Sequence, residues 1–293
     1  MCIRDRNNDI YPCVWLKSGR SEAAEFYSSL FNAQLLQTND YVSQLSIFNQ
    51  RLMLLSGGPD LEFQINPSIS LMLLSQSSEQ IQYYWDHLID GGSILMPLDR
   101  YPWSEMYGWV QDRFGVSWQL YLDTREDLNT QQLIPTLMFT EDNAGKALHA
   151  MQFYTQIFPN SEVSGIMRYK DGENRSENPE YVQHAQFIID DYILYCMDSS
   201  YSHRFGFNQG ISLVVETSSQ METDHLWSAL LQHGGQAMQC SWLKDQFGIH
   251  WQIVPKRLIE LINSSDSEIS QRAMNAMFRM QKINIQEIED AIK

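Results

Sequence analysis

Cysteine is scarce in this chain: four in 293 residues, Cys2, Cys13, Cys196 and Cys240, scattered and never in a CxxC pair. That excludes a disulfide framework and a thiolate metal cluster, and leaves reduced thiols of the kind a cytoplasm maintains. Basic residues are also few. Twenty Lys and Arg face 36 Asp and Glu, a formal charge of -16, which is the wrong sign for a phosphate-binding surface and excludes nucleic acid and anionic membrane as partners. No apolar run approaches the roughly 18 residues of a membrane span, and the opening MCIRDRNND lacks the apolar region of a signal peptide. A soluble, cytoplasmic protein is expected. Residues 1–9 match nothing later in the chain and read as a disordered extension or a start-site artefact. No G-x-G-x-x-G follows a strand and no G-x-x-x-x-G-K-[ST] occurs, so dinucleotide and P-loop chemistry are not expected, and nothing resembles a glycine-rich adenosylmethionine loop.

What the chain does have is repetition. WVQDRFGVSWQL at 109–120 returns as WLKDQFGIHWQI at 242–253, with six of twelve positions identical. Other anchors follow in the same order: Pro12 with Pro135, Phe26, Tyr27 and Phe31 with Phe153, Tyr154 and Phe158, Asn66, Ile69 and Ser70 with Asn208, Ile211 and Ser212, Trp85 with Trp227, and the double glycines 91–92 with 234–235. Collinear matches over this length mark two homologous modules, 10–125 and 132–257, with a tail at 258–293.

Each module reads as β-α-β-β-β with a further helix and a closing strand. YPCVWL is a short β run, Ser21 and Asn143 are candidate caps of the first helices, and Ser77-x-x-Gln80 and Ser219-x-x-Glu222 are capping boxes before the second. Strands are expected at 41–48 and 51–56, again at 181–189 and 192–197, and at ISLMLL and ISLVVE. Two insertions break the match. YKDGENRSENPE at 169–180 reads as a surface loop, while ILMPLDRYPWSEMYG at 94–108 carries Tyr101, Trp103, Met106 and Tyr107 and should wall or cover a cavity. In the tail, Ile269, Ala273, Met277 and Met280 form one stripe and Ile285, Ile288 and Ile292 another, expected to dock on the modules, with a dimer contact as the alternative.

These modules, with SEAAEFYSSLF, GGPDLEFQINPSIS, LMPLDRYPWSEMYGWVQDRFGVSWQL and CSWLKDQFGIHWQIVP, resemble the vicinal oxygen chelate superfamily, the glyoxalase and bleomycin-resistance fold, and within it the PhnB-like branch. Sequences of this branch are often labelled 3-demethylubiquinone methyltransferase. The resemblance implies an α+β fold in which two tandem βαβββ modules form curled mixed sheets enclosing a cavity, followed by the helical tail. It also implies where metal-using relatives keep ligands: Pro12 and Pro135 would stand at the first-strand histidine positions, Gln44 and His184 at the middle carboxylate, and Gln119 and Gln252 at the terminal one. Proline has no side-chain donor and neutral amides are poor ligands beside carboxylates, so no cofactor is expected. A divalent metal would need a site rebuilt around His184 and His250.

If the terminal glutamines face the cavity, strand alternation puts Trp118 and Trp251 on the helix side and Ser117, Gln119, Tyr121, His250 and Gln252 toward the ligand. With Gln44, His184 and Trp103 these are the candidate binding residues. Asp112 and Asp245, each three residues before a glycine, fit a turn better than a catalytic acid. The expected function is binding of a small, partly apolar or aromatic molecule without the family metal, by a monomer or homodimer. The alternatives are a metal-dependent lyase, isomerase or dioxygenase, the methyltransferase-like label of relatives, and a non-catalytic scaffold.

Overall fold

The computed structural model describes residues 9–57, 62–125, 131–171 and 177–293. Four βαβββ units follow one another. The first comprises β1 (Ile10–Trp15), α1 (Arg20–Phe31), β2 (Gln34–Thr38), β3 (Val42–Ile47) and β4 (Gln50–Leu55). The second comprises β5 (Ile69–Ser75), α2 (Ser78–Leu88), β6 (Ser93–Tyr101), β7 (Ser104–Gln111) and β8 (Ser117–Leu122). The third comprises β9 (Leu133–Phe139), α3 (Ala147–Ile157), β10 (Glu162–Arg168), β11 (Val182–Ile189) and β12 (Tyr192–Asp198), and the fourth β13 (Ile211–Thr217), α4 (Gln220–Leu230), β14 (Gln236–Ala237), β15 (Trp242–Lys244) and β16 (His250–Pro255). What the sequence shows as a module with an added helix and strand is two such units in series. The helices α5 (Lys256–Ile262), α6 (Ser267–Met277) and α7 (Ile285–Ala291) end the chain.

The units pair across the repeats. One eight-stranded sheet, A, has the order β14-β15-β16-β13-β1-β4-β3-β2, and the other, B, the order β10-β11-β12-β9-β5-β8-β7-β6. Antiparallel pairs at their centres, β1 with β13 and β5 with β9, join the units. Each sheet is therefore half first repeat and half second. Alternation along the strands gives each sheet two chemically distinct sides. Val14, Leu71, Trp118, Leu213 and Trp251 join the inner faces of α1 to α4 in one core. The opposite, concave sides carry Tyr11, Cys13 and Val214 on sheet A and Met72, Leu74, Tyr107, Ile134, Ile193 and Tyr195 on sheet B.

Helix starts divide the expectations. Ser77 and Ser219 accept hydrogen bonds from the backbone of Gln80 and Glu222 as N-caps, but the expected capping boxes are not reciprocal: Gln80 accepts from Ser75 Oγ and Glu222 from the Ser218 N–H. Ser21 caps nothing: α1 already begins at Arg20, after a left-handed Gly19. Asn143 sits in a 3-10 turn before α3 and its amide donates to the Phe247 carbonyl at 2.7 Å instead. The 94–108 insertion forms most of the β6–β7 hairpin, which extends sheet B. The 169–180 insertion begins in a 3-10 turn at Tyr169–Asp171, and its centre, 172–176, lies outside the described residues, as do residues 1–8.

The tail docks on its own chain. Leu258, Leu261, Ala273, Ile283 and Ile288 form a small core of their own, against which Val254 of β16 packs. From the end of β16, α5 runs to the far edge of sheet A, where Asn263 exchanges two amide hydrogen bonds with Gln37 of β2, at 2.5 and 3.2 Å. The helix thus bridges two strands that stand five places apart in sheet order. No described helix is long and apolar enough to cross a membrane.

Candidate functional site

Two buried carboxylates explain why the recurring motif recurs. Asp112 Oδ1 accepts the backbone N–H groups of Phe114 and Val116 at 2.9 and 3.0 Å, and Oδ2 accepts Tyr27 Oη at 2.6 Å and Trp118 Nε1 at 2.8 Å. Asp245 repeats the pattern with Phe247, Ile249, Tyr154 (2.5 Å) and Trp251 (2.8 Å). The expected turn is present, with Gly115 and Gly248 at φ of 85° and 89°. Beyond it, each carboxylate fastens a helix of one sheet's unit to the closing strand of the other sheet. Burial outweighs the four donors and raises Asp245 to about 6, and shifts Asp112 in the same direction. These aspartates hold the frame that aims the cavity residues, and both tryptophans face the helices.

The eight candidate binding residues fall on two surfaces. Ser117, Gln119 and Tyr121 on β8, His184 on β11 and Trp103 at the β6–β7 turn belong to sheet B, whereas Gln44 on β3 and His250 and Gln252 on β16 belong to sheet A. His184 and His250 therefore do not converge. Ladder register also corrects two alignments. Pro12 and Pro135 lie opposite Leu213 and Leu71 and so on the helix side, leaving Cys13 and Thr136 at the concave first-strand positions. Gln44 aligns through Met53 with Cys13, and Gln186 aligns through Tyr195 with Thr136, so the counterpart of Gln44 is Gln186, two residues past His184.

The floors of the two faces are related by the repeat. On sheet B, Gln119 donates to Ser70 Oγ at 2.6 Å and accepts from Tyr107 Oη at 2.8 Å, and Trp109 Nε1 donates to Ser117 Oγ at 2.7 Å. On sheet A, Gln252 donates to Ser212 Oγ at 3.0 Å beside Cys13, whose thiol burial pushes up to about 12. Ser70 and Ser212 escaped the functional reading although the repeat had matched them. Burial, aided by Arg125 near His184 and by Lys244 near His250, lowers both imidazoles to about 4, so each is neutral at pH 7.

The surroundings of the two floors differ. Sheet A carries a closed network in which Tyr11 Oη donates to Glu216 at 2.8 Å while Arg51 pairs with the same carboxylate at 2.5 Å and stacks 4.0 Å from the Tyr11 ring centre. Nearby, Val254 packs against both the α5 core and the Tyr11, Cys13 and Val214 cluster. On sheet B, among the described residues, the equivalent crossing is made by a side chain: Arg125, held by Asp123 at 2.6 to 3.1 Å, reaches Tyr195 across from the end of β8. Beside it the β6–β7 hairpin presents aromatic rings, with Tyr101 stacked on Trp103 at 5.0 Å and Tyr107 edge-on to both. A cleft of about 450 Å³ opens there, lined by Tyr101, Trp103, Ser104, Glu105, Tyr121 and Leu122. Tyr121 Oη donates to the Trp103 carbonyl at 2.7 Å and fixes the rim.

The metal of glyoxalase-type enzymes does not fit these residues. The concave positions hold amides, hydroxyls, a protonated thiol and one neutral imidazole on each sheet, His184 and His250, and among the described residues no three His, Cys, Asp or Glu side chains converge.

A family model described as 3-demethylubiquinone-9 3-methyltransferase matches residues 8–121 and 131–254. Among solved structures, the chain is similar to the PhnB protein from Bacillus cereus, with 29% identity over 38% of this chain and 96% of that one, at a TM-score of 0.37. It also resembles glyoxalase I from Zea mays, at 11% identity over 84% of this chain and 93% of that one, with a TM-score of 0.56 that reports shared fold. No curated protein matches the chain. With the family model matched over both repeats, the chain belongs to the 3-demethylubiquinone-9 3-methyltransferase family, and it shares the fold of glyoxalase I.

Proposed function

We propose that the concave face of sheet B binds a small, partly apolar or aromatic molecule, entering by the cleft at Trp103 and Tyr121, and that it does so without a divalent metal. The observation that carries this reading is the contrast between the two related faces: α5 spans sheet A, whereas sheet B keeps an aromatic-lined opening of about 450 Å³. Flat rings suit the Tyr101, Trp103 and Tyr107 cluster, each favourable ring contact adding roughly 0.5–1.5 kcal/mol beyond burial. Gln119, with both ends of its amide bonded, supplies a rigid polar floor.

Titration of 2-naphthol into the protein, followed by NMR, tests the site. Wild type is expected to bind, and the Trp103→Ala/Tyr121→Ala variant to bind about tenfold more weakly, equivalent to about 1.4 kcal/mol. Unchanged affinity in the double variant, or no binding to wild type, would sink the assignment. Protein purified without chelator is further expected to carry less than about a tenth of an equivalent of Fe, Mn, Ni or Zn, since amides and hydroxyls are weak ligands and no three stronger donors converge among the described residues. Stoichiometric metal would overturn that part.

A further inference from the structure

At the other end of β7 from the aromatic hairpin, two adjoining clefts of about 660 and about 700 Å³ share Lys17, Phe63, Gln64, Ile65 and Gln111. Arg113 lines the first and Arg204 the second. Three cations thus meet at one place on a chain whose net charge is -16. Among the described residues no carboxylate lies within 4 Å of the charged nitrogens of Lys17 or Arg204, although Glu141 Oε1 accepts the Arg204 backbone N–H at 2.7 Å and Glu22 and Glu62 also line the clefts. Arg113 has only a long contact of 3.8 Å to the exposed Glu22. Aromatic rings lie under two of the charges, with Lys17 Nζ 5.3 Å from the Phe63 ring centre and the Arg113 guanidinium 5.1 Å from that of Phe114.

The repeat provides an internal control for what the fold needs. Aligned on Pro12 and Pro135, on Asp112 and Asp245, and on Asn66 and Asn208, the counterparts of Lys17, Arg113 and Arg204 are Thr140, Gln246 and Glu62. The Asp112–Gly115 turn recurs at Asp245–Gly248 with Gln246 in place of Arg113, whereas the loop after Thr140 forms a 3-10 turn that the Lys17 loop lacks, and Arg204 takes a left-handed φ of 58°. The loops are fixed instead by neutral bonds, Asn66 Nδ2 to the Gly206 carbonyl and Asn208 Nδ2 to that of Gln64, at 3.0 and 2.9 Å. The turn therefore does not require a cation at position 113, and neutral bonds rather than Lys17 or Arg204 side chains hold the neighbouring loops.

We propose that this double cleft is a second binding site, separate from the sheet B face, for a small organic anion with a flat apolar body. The anionic group lies between Lys17 and Arg204, and the body lies against Phe63 and Ile65. In an otherwise acidic protein such a cleft focuses the local potential and draws anions that the rest of the surface repels.

Calorimetric titration with benzoate, phenyl phosphate and neutral benzamide tests the proposal. Wild type is expected to bind at least one of the two anions and not benzamide, and the affinity should fall as salt is raised from about 0.01 to about 0.3 M. The tighter anion identifies the source as carboxylate or phosphate ester. Lys17→Glu/Arg204→Glu should weaken binding about tenfold or more, with Lys17→Gln/Arg204→Gln as the milder variant should the reversal not fold. Arg279→Glu, which removes an exposed cation on the tail, should leave binding unchanged. No binding of either anion, equal binding of benzamide, or wild-type affinity in a folded Lys17/Arg204 variant overturns the proposal.

Discussion

Asp245→Asn is expected to cost about 3 kcal/mol of folding stability, the cost of leaving buried donors unpaired. In a domain of this size that lowers the melting temperature by roughly 6–12 °C. Asn keeps one oxygen for the Phe247 and Ile249 amides but turns an NH2 toward Tyr154 Oη and Trp251 Nε1, so the indole N–H loses its acceptor. Asp112→Asn should act alike through Tyr27 and Trp118. The size of the loss depends on pH in a definite direction. Folding raises the Asp245 carboxyl from its ordinary 3.8 to about 6, so the native state holds that proton more tightly than the unfolded chain. The stability this provides is full below about pH 4 and is lost as the pH rises through about 6. Asn does not titrate, so the substitution should cost more at about pH 4.5 than at about pH 8. Urea unfolding of both proteins at the two pH values checks this. A cost that grows with pH would mean that the four donors, rather than burial, govern the carboxyl.

Gly92→Ala should be comparably damaging, at about 3 kcal/mol, because its surroundings are backbone. A Cβ there would lie 2.5 Å from the Gln111 carbonyl oxygen, 2.7 Å from that of Leu88 and 3.2 Å from Asp112 Cα. None of these can rotate away, so the chain beside Asp112 must move. Part of the loss should come through the carboxylate's four hydrogen bonds, making Gly92→Ala/Asp112→Asn less costly than the two separate effects combined. Gly165→Ala on β10, where a Cβ meets nothing within 4 Å, is the matched control and should be neutral or slightly stabilising. Equal melting temperatures for the two glycine variants would refute the close-approach argument.

The repeat, the helix-facing tryptophans and the second-helix caps were legible because each follows from spacing within one segment. Period-two alternation assigned Trp118 and Gln119 to opposite faces without coordinates. What spacing does not encode is which strands become neighbours. Tyr27, Asp112 and Trp118 stand apart in the chain, and nothing local shows that they meet on one carboxylate. The same gap hid the division of Gln44, His250 and Gln252 from Ser117, Gln119, Tyr121 and His184. A match between prolines fixed the alignment of the first strands, but the face they occupy emerged only from the Leu213 and Leu71 registers. Cys13 and Thr136 were therefore overlooked by one residue.

The nesting of the sheets bears on the order in which the chain can fold. Sheet B is built from one continuous stretch, Ile69 to Asp198, whereas sheet A joins Ile10 to Val215 and closes only with β16. During synthesis sheet B can be complete while β1, already paired with β4, still waits for β13 about 200 residues away, and closing so long a loop is slow. The face assigned here to the ligand thus belongs to the part that can form first, and the three tail helices, which follow β16, dock on the part that forms later.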